Sequence, residues 1–437
     1  MSSSAAHFYA ITIKIMNVLV IGSGGREHAI CHSFAKSAKL SRLFCAPGNA
    51  GIASMANCIP INADDVFGLA DFAASHDIDL TFVGGETSLA LGVVDEFERR
   101  GLKIIGPNKA AAQLESSKAF AKDFMARHAV PTAAYRVASS ASEARSILNS
   151  GELGDDAVVV KADGLAAGKG VVVAGDRAEA IEAIGSMAEL VGVDAASTIV
   201  LEECLVGKEV SLLAFCDGEH FALMPPTRDH KRIGERDTGP NTGGMGTITD
   251  TSLLTDEQTA EIVKTVIEPT LKGCQGEGFP FRGVLFLGLM MTEHGPKVLE
   301  YNVRFGDPET QSILVRLETD LVDICEAMLA GTFDDLDIKW RSGSSATVVL
   351  AAKGYPQSPK KGDPISGLDS AANIDGVTVF HAGTRFEPEA TGFLTAGGRV
   401  LGVTAAADDL NAALARAYSA VDLISWDGMQ FRRDIGK

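Results

Sequence analysis

From Asn17 to Pro107 short apolar runs alternate with stretches of helical periodicity: NVLVIG, SRLFCAP, DLTFVGG and LKIIGP are separated by segments such as REHAICHSFAKSAK and TSLALGVVDEFERR. Runs too short for helices, joined by amphipathic segments, have the rhythm of βαβ units and predict a parallel, doubly wound sheet with ligand-facing loops at its strand C-termini. Residues 108–128 predict one helix, with apolar Leu114, Phe120, Phe124 and Met125 and a Val130-Pro131 turn behind it. The pattern then changes. DAVVVKAD and GVVVAGD flank GLAAGK, a helical stretch follows over 177–190, and TIVLEECL, KEVSLLAFC and HFALMP read as further strands of an antiparallel sheet. TRDHKRIGERDTGPNTGGMG is polar and glycine-rich, a connection of the kind that is usually functional or disordered. A helix over 256–273, strands GVLFLGLMM and PKVLEYNVRF, and a helix over 308–330 come next. From about Arg341, ATVVLAAKGYP, VTVFHAGT, GGRVLGVTAA and a helix over 408–424 predict a terminal α/β unit. The expected organisation is an extension (1–15), an N-terminal parallel α/β domain (16–116), a central region (117–335) with a lid-like subdomain at about 135–205, and a C-terminal domain (340–437).

Length agrees with this multidomain reading, since 437 residues exceed what one ordinary core organises. Apolar residues at 46% and charged residues at 22% describe a globular chain rather than a disordered or fibrous one. The net charge of -18 argues against nucleic acid as a partner, and it requires any site for a phosphorylated ligand to be built locally from glycine-rich backbone, a few Lys or Arg, and a metal. Seven scattered cysteines without a C-x-x-C pair read as free thiols of a reducing compartment. The first fifteen residues lack the basic start and cleavage site of a signal peptide, and no window approaches the ~18 apolar residues of a membrane span, so the cytoplasm is expected and no membrane partner.

Three segments carry the chemistry. IGSGGREHAI follows a strand and opens a helix, the context for a phosphate at a helix N-terminus, with Arg26 as counter-charge. It is not the dinucleotide fingerprint, because Glu27 stands where the third glycine belongs and the second strand ends in Cys45-Ala46-Pro47 without an acid for a ribose. VVVKADGLAAGKGVVVA fails as a P-loop: Asp163 and Gly170 occupy the places of the required Gly and Ser or Thr, and a strand rather than a helix follows. It reads instead as a glycine-rich hairpin whose amides fold over phosphates, with Lys161 and Lys169 adding charge. In VLEYNVRFGDPETQ, Glu300 and Asn302 share a strand face and Arg304 continues the line, which suits a magnesium ion and a transferring phosphoryl group. The structural alternatives are a tight turn with a surface arginine, a flexible hairpin and a solvated strand face. No Ser-His-Asp, Cys-His or zinc-binding order is legible, and His28, His230 and His381 read as packing or hydrogen-bonding residues.

Read together and in order, GSGGREHA, APGNAG, QLESSKAF, KADGLAAGKG, DHKR, GPNTGGMG, NVRFGDPETQ and FHAGT resemble the phosphoribosylamine-glycine ligase family, also called glycinamide ribonucleotide synthetase, from Met16 to about Gly436. The resemblance implies an N-terminal parallel α/β domain, a central ATP-grasp pair of domains and a small C-terminal domain. It implies ATP with Mg2+ (or Mn2+) as cofactors, glycine and 5-phosphoribosylamine as substrates, and a monomer or weak homodimer. By position, Lys118 and Lys161 match lysines that reach ATP phosphates, and Gly164 to Gly170, with Lys169, the loop that covers them. Glu202, Glu203, Cys204 and Leu205 match the linker whose backbone meets adenine, and Glu209 the acid that holds the ribose. Glu300 and Asn302 match the metal ligands and Arg304 the phosphate clamp. Asp229, Lys231 and Asp307 join Arg304 as implied catalytic groups; Gly24, Gly25, Arg26, Glu27, Asn49, Glu86, Pro308 and Glu309 are implied around glycine and the phosphoribosyl amine. Gly85, Arg228 and Val303 depart from the family's usual residues, and LFLGLMM lacks the acid that many ATP-grasp enzymes carry there. The rival readings are another ATP-grasp ligase or carboxylase, a nucleotide sensor without turnover, and a nicotinamide dehydrogenase.

Overall fold

The computed structural model describes residues 15–154, 156–164, 170–388 and 392–437. The expected extension, apart from Ile15, and the expected hairpin tip with Lys169 lie outside the described residues.

The N-terminal sheet is parallel throughout, in the order β3-β2-β1-β4-β5, from β1 (Met16–Gly22), β2 (Leu40–Pro47), β3 (Asn57–Cys58), β4 (Leu80–Val83) and β5 (Ile104–Ile105). β1 is buried on both faces: Val18 and Val20 enter one core, with Ile30 and Phe34 of α1 (Gly25–Phe34), while Leu19 and Ile21 enter the other, with Phe97 of α4 (Val93–Arg99). This is the doubly wound arrangement, and it explains why the strands read as continuous apolar runs. The remaining crossovers are α2 (Val66–Ser75) and α3 (Glu86–Leu91).

The helix expected over 108–128 is broken. α5 (Gln113–Ser116) and α6 (Lys118–Arg127) meet at Ser117, which is extended at φ -134 and ψ 113 and accepts the Phe120 N–H as an N-cap. A serine that caps the following turn ends the preceding one. Beyond α6, β6 (Tyr135–Ala138), β7 (Val158–Ala162), β8 (Val171–Ala174) and β9 (Ile199–Glu203) form a separate antiparallel sheet ordered β6-β9-β7-β8. With α7 (Ala141–Ser150) and α8 (Arg177–Val191) it encloses its own core around Leu148, Val160, Ile184, Met187 and Leu201.

A nine-stranded sheet follows. Its strands are β10 (Lys208–Asp217), β11 (Phe221–Leu223), β12 (Thr227–Asp229), β15 (Gly246–Thr249), β16 (Arg282–Thr292), β17 (Gly295–Asn302), β18 (Ser344–Ala351), β19 (Val377–His381) and β22 (Arg399–Ala407). The small pairs are β13 (Arg232–Gly234) with β14 (Thr238–Asn241), and β20 (Thr384–Glu387) with β21 (Gly392–Thr395). In the order β17-β16-β10-β12-β15-β18-β22-β19, the strands of the chain's last hundred residues continue the central sheet through β15 and β18. The helix expected over 256–273 runs to Gly276 as α9 (Asp256–Ile262), one π turn and α10 (Glu268–Gly276). The one expected over 308–330 is two: α11 (Glu309–Leu314) ends where buried Arg316 donates to Arg341 O at 3.1 Å, and α12 (Leu321–Ala330) restarts on the Asp320 cap. α13 (Leu368–Ala372) and α14 (Leu410–Val421) cover the C-terminal strands, α14 through Ala413, Ala417 and Val421. Phe305, wholly buried, stacks on Phe82 and meets Phe215 edge-on, with both ring centroids at 5.8 Å, and so joins the two large sheets beside Arg304. No helix among the described residues is long and apolar enough to cross a membrane.

Candidate active site

β17 carries the first half of the site. The bulge in its pairing with β16 falls at Leu299, between the partners Gly288↔Glu300 and Leu289↔Val298. Bulges re-aim backbone and side chains beside functional sites. Here the freed Leu299 carbonyl accepts from Lys161 Nζ at 3.1 Å, and Glu300 and Asn302 lie on one face beyond it. The residue opposite Glu300 is Gly288, where an added Cβ would stand 3.3 Å from Glu300 Cγ. Burial alone would raise the Glu300 pKa, but Lys231, Lys161, Lys118 and Arg304 outweigh it and hold the carboxylate below its ordinary value. Lys118, the first residue of α6, reaches Gly164 O at 3.2 Å, and Lys231 reaches Glu209 Oε2 at 3.2 Å. Asp229 above all raises the Lys231 pKa.

An ionised carboxylate and an amide ringed by cations fit a divalent metal shared with phosphates. Mg2+ takes one or two protein carboxylates and completes its octahedron with water and phosphate oxygens. Among the described residues no group of three or more His, Cys, Asp or Glu is arranged to hold a metal by itself. In the linker, Glu202 contacts Lys161 at 2.8 Å, and Glu203 is held by its neighbours. Glu203 accepts from Ala134 N and Lys297 Nζ, both at 3.0 Å, while its own amide and that of Cys204 donate to Ala134 O and Ala157 O. Both of these linker amides are thus spent on neighbouring backbone.

The second half begins at the glycine-rich turn. α1 starts at Gly25, where any Cβ would fall 2.7 Å from Gln311 Nε2. Glu27 is committed locally: Oε2 accepts the Gly24 N–H at 2.5 Å and Oε1 the Arg26 Nε at 2.6 Å. Asn49 is likewise spent on backbone, donating to Ser23 O (2.8 Å) and His381 O (2.9 Å) and accepting from Gly51 and Ile52, so it pins the turn to β19. Arg26 donates to Phe305 O at 3.1 Å and stands 3.6 Å from Glu86 Oε2, which also pairs with Arg304 Nε at 3.1 Å. Arg304 Nη2 closes the ladder on Glu115 at 2.6 Å. Burial would raise Glu86, yet the two guanidiniums bring it down to about 2. For Glu115 burial prevails and its pKa rises.

The Asp307-Pro308-Glu309 turn faces this ladder. Asp307 pairs with Arg399 at 3.1 Å and accepts from Gln311 at 2.8 Å. Arg399 also donates to the carbonyls of Asp307 and Gly243, and so ties the C-terminal strands to the Asp307 turn and the Gly243 loop. Burial works against the Asp307 charge, but Arg399 and Arg26 keep it ionised. Glu309 and Asp229 behave oppositely: burial first raises both, with Asp229 adding to the rise of Glu309, and Glu209 and Glu300 to that of Asp229.

The structure thus gathers Lys118, Lys161, Lys231, Glu209, Asp229, Glu300 and Arg304 in one charged group, and Arg26, Glu86, Asp307 and Arg304 in a second that shares its arginine. Sequence reading did not single out Glu115, Gln311 or Arg399, which the structure brings against Arg304 and Asp307. Glu115 and Arg399 lie inside or beside glycine- and serine-rich motifs, but a lone charge on a helix or strand has no spacing signal. His28 accepts the His381 N–H at 2.8 Å and His230 the Gly436 N–H at 3.0 Å.

A parallel N-terminal domain, a small antiparallel sheet poised beside a larger one, and a lysine-ringed Glu-Asn pair between them define an ATP-grasp protein. Comparison with known proteins narrows this. The family models for phosphoribosylglycinamide synthetase match in order: the N domain over residues 16–115, the ATP-grasp (A) domain over 116–310 and the C domain over 345–437. Relatives called phosphoribosylamine-glycine ligase are 46% identical in Brucella melitensis, over 96% of this chain and 97% of that one, and 48% identical in Xanthomonas campestris, with the same coverage. The crystal structure of the Thermotoga maritima phosphoribosylamine-glycine ligase superposes with a TM-score of 0.82 at 33% identity, over 96% of this chain and all of the other. A Hydrogenobacter thermophilus biotin carboxylase domain, at 18% identity and a TM-score of 0.71, shares the fold. The chain belongs to the phosphoribosylglycinamide synthetase family.

Proposed function

We propose that the chain joins glycine to 5-phosphoribosylamine at the expense of ATP, giving glycinamide ribonucleotide, ADP and phosphate in purine biosynthesis. The observation that carries the reading is Glu300, a carboxylate held ionised by Lys118, Lys161, Lys231 and Arg304 on the strand face it shares with Asn302. That array suits phosphoryl transfer, in which positioning and charge supply most of the catalysis.

In the mechanism, glycine's carboxylate attacks the γ-phosphoryl group of ATP to give glycyl phosphate, and the amine of phosphoribosylamine then displaces phosphate. Lys118 and Lys161 hold the nucleotide phosphates, the 202–205 linker borders the base, and Glu209 binds the ribose. Glu300 and Asn302 would hold a Mg2+ or Mn2+ ion, which would supply charge neutralisation at the transferring group. Arg304, oriented by Glu86 and Glu115, clamps that group. Asp307, kept anionic by Arg399 and Arg26, faces the amine, and the glycine-rich turn with Arg26 receives the 5-phosphate. We assign the amine's proton to Glu309, whose pKa is raised by burial and then by Asp229. A cytoplasmic monomer or weak homodimer is the setting we infer, supported by seven cysteines that are all free.

Glu300→Gln tests the metal assignment. Losing one ligand of a two-ligand site weakens metal affinity first, so turnover falls and excess Mg2+ restores part of it. Full activity of Glu300→Gln at low Mg2+ contradicts the assignment.

A further inference from the structure

A buried chain of charges runs behind the site, and Lys122, at its far end, has none of the roles above. Lys122, on the inner face of α6, donates to Thr132 Oγ1 at 2.7 Å and to Glu202 Oε2 at 2.8 Å. The other oxygen of Glu202 lies 2.8 Å from Lys161 Nζ. The three side chains are 3%, 2% and 8% exposed, in the order Lys122, Glu202, Lys161. The two contacts of Glu202 are not equal. Lys122 makes an aligned hydrogen bond, whereas Lys161 directs its hydrogen bond at Leu299 O, and Glu202 Oε1 accepts none among the described residues.

A buried carboxylate without a cation is costly, and a buried cation fully paired to a carboxylate has no net charge to offer a ligand. One Glu facing two Lys resolves this, because the group keeps one net positive charge. We propose that Lys122 is a positioning residue for ATP binding: by taking up the Glu202 carboxylate it leaves the charge of Lys161 available to the nucleotide phosphates. The inference rests on the reading that Lys161 faces those phosphates. Burial draws the Lys122 pKa down to about 8, which leaves it charged at neutral pH. The same clasp holds both passages between the small sheet and the large one. Thr132 Oγ1 donates to Val298 O at 2.7 Å, Lys297 binds Glu203, and Lys161 binds Leu299 O, three consecutive residues of β17 immediately before Glu300.

A double-mutant cycle at pH 7 separates charge sharing from bracing. The full chain is measured with Mg-ADP for binding and with ATP and glycine for KM, and thermal unfolding reports the fold. Lys122→Met turns Glu202 wholly onto Lys161 and weakens Mg-ADP about tenfold, with the glycine KM unchanged. Lys122→Met with Glu202→Gln removes both charges, frees Lys161 and restores affinity to within about threefold of the parent. A double mutant as weak as Lys122→Met, or weaker, overturns the proposal and makes Lys122 a brace. If Lys122→Met fails to fold, Glu202→Gln alone decides, because it unmasks Lys161 and tightens Mg-ADP at least about twofold, whereas weakening contradicts the proposal. Lys161→Met serves as the control. Unchanged nucleotide affinity in that variant sinks the phosphate assignment itself, whereas a loss there without recovery in the double mutant sinks only the role of Lys122.

Discussion

Arg26 and Arg304 are 278 positions apart in the chain, yet Glu86 lies within 3.6 Å of the first and 3.1 Å of the second. Each arginine was legible because it follows a glycine-rich turn or a polar strand. The carboxylates that orient them were not all legible, since Glu115 has neither a motif spacing nor a paired residue nearby in sequence. Arg26→Ala is expected to lower kcat/KM for phosphoribosylamine about 10- to 100-fold, the loss of one charge-assisted phosphate contact, with the ATP KM changed less than about threefold. Titrating each substrate in turn checks this, and an equal loss for ATP would give Arg26 the task of supporting Arg304 through Glu86 instead. Glu309 carries a pH signature. Burial first, and then Asp229, raises its pKa from the ordinary 4.5 to about 7, so between these the folded protein retains a proton that the unfolded chain has released. The cost of ionising it is absent at low pH and grows as the pH rises between those two values. Urea denaturation should therefore show Glu309→Gln gaining stability relative to the parent from about pH 5 to about pH 8, and a constant difference contradicts the shift.

At the scale of elements, apolar periodicity located the strands and most helices but not the breaks within them. Residues 108–128 have helical spacing throughout; what divides them is Ser117, whose hydroxyl caps α6 and donates to Asp163 at 3.0 Å. Asp163 also accepts the Ala119 N–H at 2.7 Å, so the root of the glycine-rich hairpin doubles as the cap of the helix that presents Lys118. A cap supplied across 44 residues leaves no local signature. Asp163→Asn keeps the shape and removes the charge, and it should cost about 0.5–2 kcal/mol of stability and raise the ATP KM more than the glycine KM. Thermal unfolding with steady-state kinetics measures both, and an ATP KM unchanged in a destabilised variant would confine Asp163 to the helix cap.

The molecule as a whole is one composite site laid across three regions. The sequence marked a terminal α/β unit after Arg341, while the structure runs its strands β18, β22 and β19 into the central sheet and brings Arg399 to Asp307. Pairing between distant strands follows from surfaces that match only once folded, which composition and spacing do not encode. The parallel N-terminal sheet was legible because both of its faces are buried and its runs are uniformly apolar. The central claim, that this composite site couples ATP cleavage to amide formation between two small substrates, is tested most directly by ADP release from the purified chain with Mg-ATP. The account predicts steady release only when glycine and freshly generated phosphoribosylamine are both present, with one glycinamide ribonucleotide formed per ADP. Steady release with phosphoribosylamine alone, with bicarbonate or another acid in place of glycine, or without ligated product would contradict it.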